Sequence, residues 1–234
     1  MQRSLDVVTS IGATLARAAQ GMRVGQLGRR PAEPLLLYEF ESCPYCRKVR
    51  EALTALDLDA DVRPCPKGGR RYRPELIARG GKPQFPYLVD PNTGEEMYES
   101  DAIVRYLFTE YGVGPPPAIL LGPLPVLSGS LASLLRFGRG TQAEPSRAPA
   151  RPLELWSFEA SPFCRIVREK LCTLELPYRL HNVGKGSAGR EAFMARSGRM
   201  QVPYLEDPNT GQALFESNEI VAYLERRYGE KGGA

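Results

Sequence analysis

The chain has 234 residues, 42% of them hydrophobic, enough for one large core or two small ones. Its 31 basic and 27 acidic residues leave a formal net charge of +4, too balanced to point to nucleic acid or another polyanion as a partner. Five cysteines with no secretory leader and no regular disulfide spacing predict a reducing compartment, cytoplasm or organelle stroma, rather than secretion, and the single histidine, His181, has no Cys or His at ligand spacing, so no metal is expected.

In chain order, residues 1–30 carry arginines and serines with one acid, as an organellar transit segment can, although the internal repeat described below favours a structural helix and linker over 1–34. Leu35 to Phe40 is a run apolar but for Glu39 that predicts a strand buried on both faces. From Cys46, Val49, Leu53 and Leu56 recur at helical spacing while Arg47, Lys48, Arg50 and Glu51 fall on other faces, which predicts an amphipathic helix. Tyr87 to Val89 and Met97 to Glu99 read as short strands joined by the turn Asp90-Pro91-Asn92-Thr93-Gly94. Ser100 then caps a helix that carries Ile103, Val104 and Leu107 inward and stops at Gly112, expected to be left-handed. Residues 113–152 read as linker, helix, linker, and the apolar stretch from Ala118 to Leu135 is too broken by Gly122, Pro123, Pro125 and Gly129 to span a membrane.

Self-similarity organises the whole chain. YEFESCPYCRKVREAL from Tyr38 aligns with WSFEASPFCRIVREKL from Trp156, and QFPYLVDPNTGEEMYESDAIVRYLFTEYG from Gln84 with QVPYLEDPNTGQALFESNEIVAYLERRYG from Gln201. The first repeat covers 35–112 and the second 153–229. Upstream, Ala13-Thr14-Leu15-Ala16-Arg17 resembles Ala132-Ser133-Leu134-Leu135-Arg136, and Gly21 falls opposite Gly140, so each repeat is preceded by an extra helix, expected on its own repeat or between the two.

Cys43-Pro44-Tyr45-Cys46 sets two sulfurs three residues apart at a helix start. Free backbone N–H groups there stabilise a thiolate at Cys43, with Arg47 available to add positive charge, and Cys46 is within reach to resolve a mixed disulfide. The same pair can serve as half of a zinc site, as part of an iron–sulfur site shared between chains, or as inert core. Cys65 and Cys172 belong to no motif and read as small buried hydrophobes. In Ser161-Pro162-Phe163-Cys164 the first sulfur is replaced by oxygen, so the second repeat cannot run a dithiol cycle.

Cys43-Pro44-Tyr45-Cys46 is identical to the motif of dithiol glutaredoxins, and Phe85-Pro86 with Glu99-Ser100-Asp101 resembles the glutathione site of glutathione S-transferase N-terminal domains. The resemblance covers both repeats. It implies an α/β fold of two tandem thioredoxin-like domains, each a mixed four-stranded sheet with flanking helices. It also implies a cis Pro86, main-chain pairing of glutathione at Phe85, and Glu99 and Ser100 at the γ-glutamyl end. Lys82 is either a partner for the glycyl carboxylate or a solvated charge, and Tyr45 either walls the ligand or packs. The corresponding second site would comprise Ser161, Phe163, Cys164, Arg199, Val202, Pro203, Glu216 and Ser217, where Ser161 hydrogen-bonds a glutathione thiolate; the alternative is a degenerate copy kept for packing. Glutathione S-transferases follow this module with a long helical domain, for which neither the linker nor the five residues after Gly229 leave room. The expected activity is therefore glutathione-linked thiol–disulfide exchange on a glutathionylated or disulfide-bearing protein, with glutathione as co-substrate. A non-catalytic glutathione- or protein-binding scaffold, and a conjugating transferase or isomerase, stand as alternatives.

Overall fold

The computed structural model describes residues 2–17, 19–25 and 27–230; Met1, Ala18 and Gln26 of the transit-like stretch lie outside the described residues. The first repeat runs β1 (Leu35–Glu39), α2 (Pro44–Ala55), β2 (Ala60–Pro64), α3 (Tyr72–Gly80), β3 (Tyr87–Asp90), β4 (Glu95–Met97) and α4 (Ser100–Tyr111). The second repeats it as β5 (Leu153–Ser157), α6 (Pro162–Thr173), β6 (Tyr178–Asn182), α7 (Gly189–Ser197), β7 (Tyr204–Asp207), β8 (Gln212–Phe215) and α8 (Ser217–Tyr228). The extra helices are α1 (Gln2–Leu15), before the first repeat, and α5 (Pro123–Leu135), before the second.

Within each repeat the first two strands are parallel and the last two antiparallel, a mixed four-stranded sheet as expected. The two sheets are not separate. β2 pairs antiparallel with β6, giving one eight-stranded sheet in the order β4-β3-β1-β2-β6-β5-β7-β8. Ala60 faces Leu180 and Val62 faces Tyr178, so the repeats are related by a pseudo-two-fold axis at the Asp61–Arg179 pair. These two residues occupy equivalent positions, and opposite charge makes them an ion pair at 2.8 Å where a symmetric sequence would have set like charges together.

Several boundaries differ from the sequence reading. β4 ends at Met97, and Glu99, not Ser100, is the N-cap of α4 with φ 70°. Gly112 is extended, at φ −101° and ψ 178°, because the chain leaves α4 straight into a bridge with Leu27. The turn aspartates anchor the last helices instead: Asp90 accepts from the Tyr106 and Tyr111 hydroxyls, and Asp207 from Tyr223 and Tyr228, both at 2.6 Å.

The extra helices are exchanged between the repeats. α1 packs on α6 of the second repeat, α5 on α2 of the first, and the two helices touch each other. Each linker then crosses the seam with a glycine in the left-handed region. A Cβ on Gly21 (φ 76°) would stand 2.7 Å from Glu159 Cβ, and one on Gly140 (φ 79°) 2.9 Å from Glu41 Cβ, so no side chain fits at either crossing.

The polar face of α2 is buried at this seam rather than solvated. Arg50 donates from Nε to Glu159 at 2.9 Å, and Arg168 donates from Nε to Glu41 at 3.1 Å, each reaching a carboxylate of the other repeat. Arg50 also pairs with Glu39, Arg17 after α1 with Glu51, and Arg136 after α5 with Glu169. Burial works to raise the Glu159 pKa, but Arg168, Arg50, Arg47 and Arg165 outweigh it and hold the carboxylate well below its usual range.

His181 ties the same seam at its edge. Nδ1 lies 3.0 Å from Asp59 of the first repeat, Nε2 lies 2.6 Å from Glu154, and the ring stacks on Trp156 at 4.4 Å. Burial opposes its protonation, yet the bonds to Asp59 and Glu154 dominate and raise its pKa from 6.5 to about 9. A raised histidine pKa stabilises the fold fully below the unfolded value, and that contribution fades as pH rises through about 9. Thermal melts should therefore lose on the order of 2 kcal/mol of stability between about pH 6.5 and 9.5, and His181→Gln should remove that slope. An equal slope in the variant contradicts the assignment.

Candidate functional site

Topology gathers the first repeat's site at one end of the sheet. β1 runs toward Cys43, β3 begins beside it with Tyr87 opposite Tyr38, and the short β4 returns the chain to the start of α4. Cys43, Phe85-Pro86 and Glu99-Ser100 therefore come from three elements that converge there.

Cys43 is the N-cap of α2, and Pro44 occupies the first turn, where its missing N–H costs nothing. The Cys46 N–H donates to Cys43 Sγ at 3.3 Å. Burial acts to raise the Cys43 pKa, but hydrogen bonds from the Cys46 thiol and from the Cys46 and Tyr45 backbone outweigh it, leaving a net lowering. Cys46 is pushed far up, by burial first and by its bond to Cys43. The pair is thus divided into an ionisable sulfur and a protonated one. The arginine expected to assist lies elsewhere: Arg47 is buried at the seam, its Nε 4.0 Å from Glu159.

The Phe85-Pro86 and Val202-Pro203 peptides are both cis. Pro86 and Ser100 are buried, Phe85 is half-buried with its ring edge-on to Phe40 at 5.7 Å, and Tyr45 is exposed. Glu99 and its counterpart Glu216 have φ 70° and 62°, backbone strain at the same point of both repeats. Gln84 donates to Glu99, and Gln201 to Glu216. Lys82 lies over the Tyr98 ring at 4.6 Å and Arg199 over Phe215 at 4.0 Å, so each cation is held by an aromatic face.

The sequence reading missed the roof over the motif. α5 packs on the start of α2, where a Cβ on Gly129 would stand 3.1 Å from Pro44 Cβ, and Ser133 Oγ donates to the Ser42 carbonyl at 2.6 Å. Cys43 is only 4% exposed and Cys46 fully buried. The missed signal was the run of small residues on one side of α5, Gly129, Ala132 and Ser133, which lets helix backbones approach closely.

In the second repeat Ser161 is buried and its Oγ accepts from the Cys164 N–H at 3.2 Å, an ordinary helix cap. α1 roofs this end, with Ser10 Oγ donating to the Pro162 carbonyl at 2.7 Å and Thr14 Oγ1 to the Ala160 carbonyl at 2.9 Å. Cys164, Pro203 and Ser217 are buried, Val202 is half-buried, and Phe163, Arg199 and Glu216 are exposed. Cys65 and Cys172 are buried, and burial raises both thiol pKa values. No group of three His, Cys, Asp or Glu among the described residues is arranged to hold a metal, and no described helix is long and apolar enough to cross a membrane.

A family model described as glutathione S-transferase, N-terminal domain, matches residues 37–117 and again 155–232. Similar solved structures include a Bombyx mori glutathione transferase, BmGSTD1, at 29% identity over 37% of this chain and 39% of that one, with a TM-score of 0.33. Another is Leishmania TDR1, described as a unique trimeric glutathione transferase, at 16% identity over 86% of this chain and 69% of that one, with a TM-score of 0.31. The chain thus spans well under half the length of the first. No curated protein matches it.

Proposed function

Since the chain belongs to the glutathione S-transferase N-terminal domain family, matched over both repeats, we propose that it is a glutathione-linked thiol–disulfide oxidoreductase working through its first repeat. The observation that carries this is the division of labour at the helix start: Cys43 lowered, Cys46 raised, with Cys43 Sγ accepting from the Cys46 N–H. The Cys43 thiolate attacks the glutathione sulfur of a mixed disulfide, and the substrate leaves as a thiolate that takes up a proton. The enzyme–glutathione disulfide is resolved in one of two ways. Cys46 loses its proton and attacks Cys43, expelling glutathione, or a second glutathione attacks and leaves as glutathione disulfide. Two glutathiones also reduce the Cys43–Cys46 disulfide back to the dithiol.

Glutathione would lie against the Phe85-Pro86 main chain, with its γ-glutamyl end at Glu99 and Ser100 and its glycyl carboxylate toward Lys82. The second repeat, with Ser161 engaged as a cap, serves as a structural copy that supplies Glu159 to the seam. The five unbonded cysteines fit a reducing compartment. A second reading, a non-catalytic scaffold, is favoured by the 4% exposure of Cys43 beneath α5.

Reduction of a mixed disulfide between glutathione and a small thiol separates them. Wild type should turn over, Cys43→Ser should lose roughly 100-fold or more, and Cys46→Ser should keep part of the rate because glutathione can do the resolving. Absence of turnover by wild type would sink the enzyme reading.

A further inference from the structure

α1 and α5 are turned inside out relative to water. On α1 the large apolar residues Leu5, Val8, Ile11 and Leu15 are exposed, while the small and polar Ser10, Ala13 and Thr14 are buried. On α5 Leu124, Leu127, Leu131 and Leu134 are exposed, while Gly129 and Ala132 are buried. Both stripes have helical spacing. A helix facing solvent shows the reverse distribution, because burying the apolar stripe is what holds it to its domain. The inner faces here are already committed to polar contacts, Ser10 to Pro162, Thr14 to Ala160 and Ser133 to Ser42. Among the described residues the outer stripes are therefore turned largely to solvent.

The two stripes lie side by side, since α1 and α5 touch and are related by the pseudo-two-fold axis. With Leu135 and Phe137, their large apolar side chains are 38–77% exposed. Together they amount to on the order of 1,000 Å², against roughly 300–600 Å² for the largest patch of an ordinary monomer and about 800 Å² given by each partner to a standard interface. The described residues of this face also carry little charge. α5 has no ionisable residue, and the described side chains of α1 include one, Asp6, which is paired with Arg139 and lies 3.8 Å from Arg136.

We propose that this face is a dimerisation surface and that its occupant is a second copy of the chain. A closed two-fold contact places a patch on itself, so it needs a patch that does not repel its own copy and that can meet itself in register. A face of little charge made of two helices related by an internal two-fold satisfies both. A membrane surface is the less suitable occupant, because an interfacial helix turns a solvated, basic face away from the lipid, whereas the polar residues Ser10, Thr14 and Ser133 of these helices are bonded inward to the repeats.

Sedimentation of the full chain at micromolar concentration should give a dimer. The exposed positions Val8 and Leu131 touch neither the cysteines nor the seam, so Val8→Glu/Leu131→Glu should give a monomer with unchanged circular dichroism and unchanged mixed-disulfide reduction or glutathione binding, whichever the wild type has. Flotation with phosphatidylcholine vesicles, with and without anionic lipid, should leave the wild type unbound. A monomeric wild type, a dimer that survives the double variant, or flotation lost in that variant would each overturn the proposal, the last in favour of lipid.

Discussion

Glu159→Gln is expected to cost about 3–5 kcal/mol, the range for removing one partner from a buried ion pair, and to lower the Tm by roughly 10 °C for a chain of this size. The size of the effect comes from what is left behind. Glu159 accepts from Arg50, pairs with Arg168 at 2.9 Å and faces Arg47 at 4.0 Å, and all four side chains are essentially inaccessible. A neutral amide leaves Arg47 without its ion-pair partner and Arg50 and Arg168 with only Glu39 and Glu41 between them, in a place water cannot reach. Because Glu159 comes from the second repeat and Arg50 and Arg47 from the first, both repeats should unfold together. Calorimetry should give one transition in the wild type and one, shifted down, in the variant. A wild type that melts in two steps, or a variant within about 1 kcal/mol of it, would contradict this description of the seam.

The second large effect concerns access to Cys43. A Cβ at Gly129 would stand 3.1 Å from Pro44, close enough that the neighbour must give by a few tenths of an ångström, and the two further methyl groups of valine add to the pressure on α5 at this contact. Gly129→Val should therefore raise the fraction of molecules in which the roof is lifted. A destabilisation of the closed arrangement by about 1.4 kcal/mol multiplies the open fraction about tenfold. Alkylation of Cys43 by iodoacetamide, followed by peptide mass spectrometry, should accelerate by at least that factor. Ser130→Val, on the exposed side of the same helix, should leave the rate unchanged. Equal rates in all three proteins would mean that the roof does not limit access.

Much of the repeat was legible because local signals were strong. The run Leu35 to Phe40, the spacing of Val49, Leu53 and Leu56, and the Asp-Pro-Asn-Thr-Gly turns specify strand, helix and hairpin without reference to the rest of the chain. The Gly21–Gly140 correspondence was visible as well, although its cause, two linkers crossing over buried glutamates, was not. What stayed hidden depends on which surfaces meet. Arg47, Arg50 and Glu51 have the pattern of a solvated helix face, and only the pairing of β2 with β6 brings Glu159 and Arg168 against them. The one available hint was that Arg47, Arg50 and Glu51 recur as Arg165, Arg168 and Glu169, identities that a freely solvated face has no physical reason to keep. Exchange of α1 and α5 between repeats was equally invisible, because their small residues mark a close helix contact without naming its partner.

Cys46→Ser protein treated with glutathione disulfide, then examined by intact mass and peptide mapping without reductant, tests the assignment of Cys43 most directly. A single glutathionyl group on Cys43 is the predicted result. An unmodified protein, or a glutathionyl group on Cys65, Cys164 or Cys172 in place of Cys43, would contradict it.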